Sequence, residues 1–243
     1  LLKEKSTYAT LLLSFTLILC SGIATIAQTK KNKHQIIAIN AAEISTGTNS
    51  KAIINVTIIN GLGDEPLTEG CVLIKDGKIQ EVGKMSDVSI PAAAEITDAS
   101  GMYLLPGFID SHFHLDRTKG LPAKFLQHGV TSIRDPGAWI ESYDEERKSG
   151  KKIPRLFLTG PHFDMPPPAY PYDAYIVRDN YEAIKQVNAL ADQGATALKI
   201  YFRVPPGMIQ AICSTAHQRG IPVTAHLEIT EAMIAIEAGL DGV

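Results

Sequence analysis

His112 and His114 stand two positions apart at the end of an apolar run, residues 108–112. Side chains on a strand alternate faces, so two imidazoles spaced this way point together. Converging imidazoles can hold one divalent ion. Two histidines on a surface loop would give the same spacing, so the pair alone decides nothing. Lys199 lies within Ala-Thr-Ala-Leu-Lys-Ile-Tyr-Phe, residues 195–202. Ala197, Lys199 and Tyr201 share one face, and Leu198, Ile200 and Phe202 share the other. The branched and aromatic face suits packing against helices, which turns Lys199 inward. An inward ammonium needs a partner or a changed charge state. A buried salt bridge, or a rim position reaching solvent, would satisfy it equally. His226 closes Pro-Val-Thr-Ala-His and falls on the face of Pro222 and Thr224. A lone histidine there is commonly structural.

These residues gain meaning from the elements that must position them. After Leu104 the pattern alternates strand and helix. Apolar strands are predicted at residues 108–112, 129–135, 155–159, 196–202 and 221–227. A helix is predicted over residues 179–193, where Asp179 and Glu182 make a capping-box-like pair. Ile184, Val187, Leu190 and Ala191 form its apolar stripe, and Gly194 ends it. A second helix carries Met208, Ile209, Ile212 and Ala216 and stops at Gly220. A third runs from Thr230 to Gly239. Repeated strand–helix units imply a parallel sheet with helices outside. No glycine-rich phosphate loop comes after the first strand, which argues against an open dinucleotide-binding sheet. A closed (β/α)8 barrel needs eight such units and about 250 residues. Five strands are present, with a sixth beginning near Asp241. The expected fold is therefore α/β, a partial (β/α)8 TIM-type barrel of five to six strands. In such a barrel His112, His114, Lys199 and His226 all lie at carboxyl strand ends, where active sites sit.

The preceding region reads differently. Residues 52–59 are rich in β-branched types. Lys75-Asp76-Gly77-Lys78 separates two short strands, and Asp-Gly suits a tight primed turn. This is a small all-β, sandwich-like domain, spanning residues 28–103. The barrel portion spans residues 104–243. At the start, Lys3 and Lys5 precede an apolar run, residues 9–26, with Ala27 and Gln28 next. A basic, then apolar, then small-residue pattern marks residues 1–27 as a secretory signal peptide. An uncleaved anchor would need about 20 apolar residues, and Ser14, Thr16, Ser21 and Thr25 dilute this run. The mature protein is expected outside the cytoplasm, periplasmic or extracellular, touching membrane only through that segment. Cys71 and Cys213 are too few for a disulfide framework and read as small buried residues. A net charge of −3 offers no basic stripe for nucleic acid.

Leu105-Pro106-Gly107-Phe108-Ile109-Asp110-Ser111-His112-Phe113-His114 resembles the signature of the amidohydrolase superfamily. The likeness is to its imidazolonepropionase-like branch, which also holds secreted metal-dependent dipeptidases. It extends through Asp98-Ala99-Ser100-Gly101, Gly129-Val130-Thr131-Ser132-Ile133-Arg134-Asp135, Leu198-Lys199-Ile200 and Ala225-His226. The resemblance implies that His112 and His114 bind one metal. It implies that Lys199, carboxylated on its amine, bridges two metals, and that His226 binds the second. The metals would be two divalent ions, Zn²⁺ by preference, with a CO₂-derived carbamate on Lys199. A further metal histidine and a catalytic aspartate would lie beyond Val243, with Asp241-Gly242-Val243 as the approach to the former. The 243-residue chain alone is then expected to be an inactive fragment. The implied reaction is hydrolysis of an amide-type C–N bond, in a dipeptide or a cyclic amide, by a metal-bound hydroxide.

Weaker expectations attach to other residues. His162 and Tyr201 would touch substrate; a solvated loop and rim packing are their alternatives. Asp110 and Asp135 are expected to be structural. Residues 165–175 read as one long loop, on the active face or merely solvated. Two other functions stay open: a non-catalytic scaffold of the same fold, and a deaminase. Retention of all four ligand types argues for an enzyme, and a bridging lysine is not needed by mononuclear deaminases. The partner is a small molecule or dipeptide, and a homo-oligomer is compatible with the sequence.

Overall fold

A computed structural model describes residues 49–116 and 118–243. The expected signal peptide and the first residues after it lie outside the described residues. The first part is a five-stranded sheet of β1 (Lys51–Ile58), β2 (Leu67–Lys75), β3 (Lys78–Lys84), β4 (Glu95–Asp98) and β5 (Tyr103–Leu104). β1 is central, antiparallel to β2 and parallel to β4 and β5. β2 and β3 form the predicted hairpin, with Lys75 opposite Lys78. Asp76 and Gly77 adopt φ of 51° and 70°. Both central turn positions thus need positive φ, which Asp-Gly tolerates best. The sheet carries two small apolar clusters, one around Val56 and Val72 and one around Ala52, Cys71 and Val88.

The parallel strands come next in the chain. β6 (Phe108–Asp110), β7 (Val130–Asp135) and β8 (Arg155–Leu158) pair in that order. A helix, α1 (Leu121–Gln127), crosses from β6 to β7, and α2 (Asp144–Lys148) lies before β8. A second parallel group contains β9 (His162–Asp164), β10 (Ala174–Ile176), β11 (Leu198–Ile200) and β12 (Val223–Ala225). Its spatial order is β10-β9-β11-β12. The Thr196 amide donates to the Leu158 carbonyl at 3.0 Å, joining the two groups next to β8. Beyond β12, Thr224 pairs in parallel with Gly242, and the Ala225 amide donates to the Gly242 carbonyl at 3.0 Å. A sixth parallel position therefore begins where the sequence predicted it. The described chain is α/β, part of a TIM-type barrel preceded by a β unit.

Three helices cover the second group: α3 (Asn180–Asp192), α4 (Pro206–Gln218) and α5 (Ala232–Glu237). Asp179 caps α3 by accepting from the Glu182 amide at 2.8 Å. The Glu182 carboxylate reaches back to the Arg178 amide, one residue earlier than a capping box requires. The buried stripe is Ala183, Val187, Leu190 and Ala191. Ile184 stays 39% exposed, because the small Ala183 sits against the sheet in its place. Leu198 and Ile200 of β11 join Val187, Leu190, Ile209 and Ile212 in one apolar core. Apolar burial of this kind contributes roughly 1.5–3 kcal/mol per large side chain. That anchorage makes β11 a rigid mount for Lys199.

Two strands were not predicted. Residues 162–164 and 174–176 pair in parallel, His162 opposite Ala174 and Asp164 opposite Ile176. The single long loop expected over residues 165–175 is therefore shorter, and it ends inside β10. Strands of three residues among prolines carry no readable alternation.

Candidate active site

β6 stops at Asp110, so His112 and His114 lie just past its end rather than within it. The segment is held by side chains instead. The Asp110 carboxylate accepts from the His112 amide at 3.2 Å, and the Phe113 amide donates to the Arg134 carbonyl of β7 at 3.0 Å. The two imidazoles meet all the same, with ring centroids 5.6 Å apart. Fully buried Leu115 pins the chain just after them, and its amide donates to Asp135 at 3.1 Å. Asp135 also accepts from the Tyr143 hydroxyl at 2.5 Å and the Gly137 amide at 3.2 Å. Burial pushes its carboxyl upward, opposed by those hydrogen bonds. His114 Nδ1 stands 3.7 Å from the same carboxylate. Asp110 and Asp135 are thus organisers of the histidine loop, as expected. A Cβ on Gly137 would lie 3.2 Å from the His114 ring, so glycine is what lets the ring occupy that place.

Lys199 is 5% exposed. Burial, then the nearby Arg134 guanidinium, brings its amine down to about 8. Among the described residues it has no hydrogen-bond or ion-pair partner, so neither the salt bridge nor the solvated rim position describes it. Its strand neighbour in register is Thr224. Arg134, from β7, donates through Nη2 to the Thr224 hydroxyl. The Arg134 Nε is buried without a partner. His112 is pushed downward by burial first, then by Lys199, His114 and Arg134. Two cations and two imidazoles thus share one region, with His112 biased toward the neutral, ligating form.

His226 continues β12, its amide donating to the Ile200 carbonyl at 3.0 Å. Its ring is edge-on to Tyr201 at 5.2 Å and to Phe202 at 4.8 Å. Phe202 does not take the helix-facing side that alternation predicted. β11 ends at Ile200, so the alternation ends with it, and Phe202 stacks on Tyr201 at 4.1 Å. Tyr201 also contacts His162, with ring centroids 4.5 Å apart.

His162 opens β9 and is 4% exposed, which excludes a solvated loop. Burial holds its imidazole near 4, and its Nε2 is buried without a hydrogen-bond partner among the described residues. At the other end of β9, Asp164 is completely buried. It accepts from the amides of Met165 and Ala169 at 2.9 Å and of Arg203 at 3.0 Å. Asp164 is absent from the residues expected to matter. An aspartate before a proline-rich loop is its only sequence signal.

Several of these residues border a cavity of about 280 Å³. His114, His162 and Tyr201 line it, together with Asp135 and with Tyr170 and Asp173 from the loop after β9. Residues 165–175 therefore do border the site. His112, Lys199 and His226 are outside the lining itself.

Among the described residues, no three His, Cys, Asp or Glu side chains gather into a ready ion cage. The donor chemistry nonetheless fits divalent ions on one condition. His112, His114 and His226 are imidazoles at strand ends, and Lys199 is a buried amine lacking an acid. An ammonium at Lys199 would repel a cation, so this lysine fits only after losing its positive charge.

No family model matches the chain. The adenine deaminase of Listeria welshimeri is 39% identical over 85 residues, covering 33% of this chain and 14% of that protein. The N-acetylglucosamine-6-phosphate deacetylase of Lysinibacillus sphaericus is 27% identical over 205 residues, covering 74% of this chain and 51% of its own length. A crystal structure of a Bifidobacterium longum protein, provisionally described as a prolidase, superposes with a TM-score of 0.65. It is 24% identical, and the match covers 80% of this chain and 53% of that one. The chain thus spans about half the length of that deacetylase and of that structure. A parallel α/β array with its polar side chains at the carboxyl strand ends defines the class. Within that class, these likenesses support an amidohydrolase superfamily member.

Proposed function

We propose that the whole protein hydrolyses an amide-type C–N bond of a small substrate, a dipeptide or a cyclic amide, with two divalent ions. Zn²⁺ suits the imidazole donors. The observation that carries this reading is Lys199, an amine buried without an acid beside neutral-leaning His112. His112 and His114 would hold one ion and His226 the other. The Lys199 amine adds to CO₂: an N–C bond forms, one C–O π pair becomes an oxyanion, and a proton passes to water. The carbamate would offer its oxygens as anionic donors to the ions. Bound ions would supply Lewis acidity and an activated water at neutral pH. His162, Tyr201 and Tyr170 line the cavity and would orient the substrate. Export to the periplasm or exterior, by the apolar segment before Gln28, belongs to the same proposal.

The test uses the full-length protein containing this chain. Metal content is measured, then hydrolysis of a panel of dipeptides and cyclic amides, before and after chelation. Metal-dependent amide cleavage supports the reading. A protein that binds no metal and cleaves nothing would overturn it and leave a scaffold. The 39% identity with an adenine deaminase over 85 residues favours deamination as the second reading. Ammonia release from aminopurines, without cleavage of the amide panel, would establish that instead.

A further inference from the structure

Three strands converge on an interior point where, among the described residues, two cations have no acidic partner. Lys199 of β11 and Thr224 of β12 are direct partners in parallel register. Arg134 comes from β7, which is separated from β12 by β8 and β11. Its guanidinium therefore reaches across the interior to find the Thr224 hydroxyl. That hydrogen bond uses Nη2 and leaves Nε buried and unpartnered. Among the described residues neither Arg134 nor Lys199 has an ion-pair partner. A buried charge without a partner is costly, and a buried unmade donor adds to that cost. The half-buried guanidinium fastened by Thr224, and the buried amine in register with that threonine, make a receptor for an anion.

We propose that Arg134, held by Thr224, is a positioning residue that receives and orients the carbamate anion formed on Lys199. This inference rests on the carbamate reading of Lys199. The Lys199 nitrogen forms a bond to the CO₂ carbon, its proton leaves to water, and the charge at this position changes from positive to negative. Arg134 then faces an anion where it had faced a cation. Its free Nε–H is a charge-assisted donor that needs an acceptor of this kind. Thr224 fixes the guanidinium plane, so the carbamate is oriented before any ion arrives. An arginine serving only as a strut would satisfy its donors on the opposite wall, and this one leaves a buried donor idle.

The experiment measures carbamate on Lys199 directly. Full-length protein, apo and zinc-loaded, is equilibrated with ¹³C-bicarbonate over a range of concentrations, and the carbamate carbon is tracked by NMR. Arg134→Met keeps the length and removes the charge. It should raise the bicarbonate needed for half-occupancy in the apo protein roughly tenfold, one unit of differential charge interaction. Arg134→Lys keeps the charge without the fork and should recover part of that loss. Thr224→Val should give a smaller shift in the same direction. Thermal melting is recorded in parallel, because a strut would change melting and leave the bicarbonate dependence alone. Unchanged dependence in folded Arg134→Met overturns the proposal. Should that variant not fold, unchanged dependence in both Arg134→Lys and Thr224→Val overturns it. Absence of any carbamate in the wild type overturns the Lys199 reading itself, an outcome distinct from the failure of Arg134 alone.

Discussion

Tyr201 contacts two histidines, its ring centroid 5.2 Å from that of His226 and 4.5 Å from that of His162. It also lies two positions beyond Lys199, just past the end of β11. One aromatic side chain thus touches both a prospective metal ligand and a residue of the cavity wall. Supporting groups of this kind set ligand orientation, and their loss typically costs about 10–100-fold in metal affinity. Tyr201→Ala should lower zinc affinity by about tenfold. Tyr201→Phe keeps the ring against both imidazoles and should bind zinc like the wild type. Competition titration against a chromogenic chelator measures both. Equal affinities for all three proteins would remove Tyr201 from any supporting role.

A second expectation concerns Lys199 itself. Arginine keeps its charge at any accessible pH and cannot form a carbamate. Lys199→Arg should lose the bound ions and activity. Lys199→Ala should lose both too, and regain part of each when a short carboxylic acid is added to fill the anion position. Metal analysis and turnover on the two variants, with and without propionate, give the answer. Two ions and normal turnover in Lys199→Arg would contradict the bridging role.

Asp164 gives a prediction about stability. It is wholly buried and accepts from three backbone amides in two different loops. Removing the carboxylate leaves those amides unmatched. Asp164→Ala should therefore destabilise the protein by roughly 3 kcal/mol, mostly the desolvation cost of orphaned donors. Asp164→Asn retains one acceptor oxygen and should cost less. Denaturant midpoints at constant slope measure the difference. The cavity should suffer with it, since Tyr170 and Asp173 belong to the loop that Asp164 anchors.

The residues that were legible in sequence share a property. The Asp76-Gly77 turn, the Asp179 cap and the alternation in β11 and β12 are local, and each is encoded within a few neighbours. Lys199 was readable because Leu198 and Ile200 flank it with apolar side chains. The features that escaped depend on partners far along the chain. β9 is three residues long and becomes a strand only by pairing with β10 and β11. Asp164 matters because Arg203 comes back to it. The reach of Arg134 to Thr224 crosses 90 positions. A charged residue on the inward face of VTSIRD was a visible signal for it. Phe202 was misplaced because alternation was carried past the point where β11 ends.

Cys213 supplies a prediction with a pH axis. It is 1% exposed on α4. Burial first, then the Asp241 carboxylate, pushes its thiol from 9.0 up to about 12. The folded state therefore keeps its proton over a range where the unfolded chain releases it. Between about 9 and 12 the unfolded state binds fewer protons, so this group's contribution to stability falls as pH rises. Below about 9 that contribution is fully present. Melting temperature should decline across this alkaline window, and Cys213→Ala should flatten that limb of the profile. The reactive species is the thiolate. At pH 8 the folded protein keeps Cys213 in its unreactive thiol form. Native protein should resist iodoacetamide at this position at pH 8, and mild urea should expose it in step with unfolding. Peptide mapping after timed alkylation measures the rate at Cys213 alone. Rapid native labelling at pH 8, at a rate indifferent to urea, would show that α4 does not hold this thiol shielded and protonated.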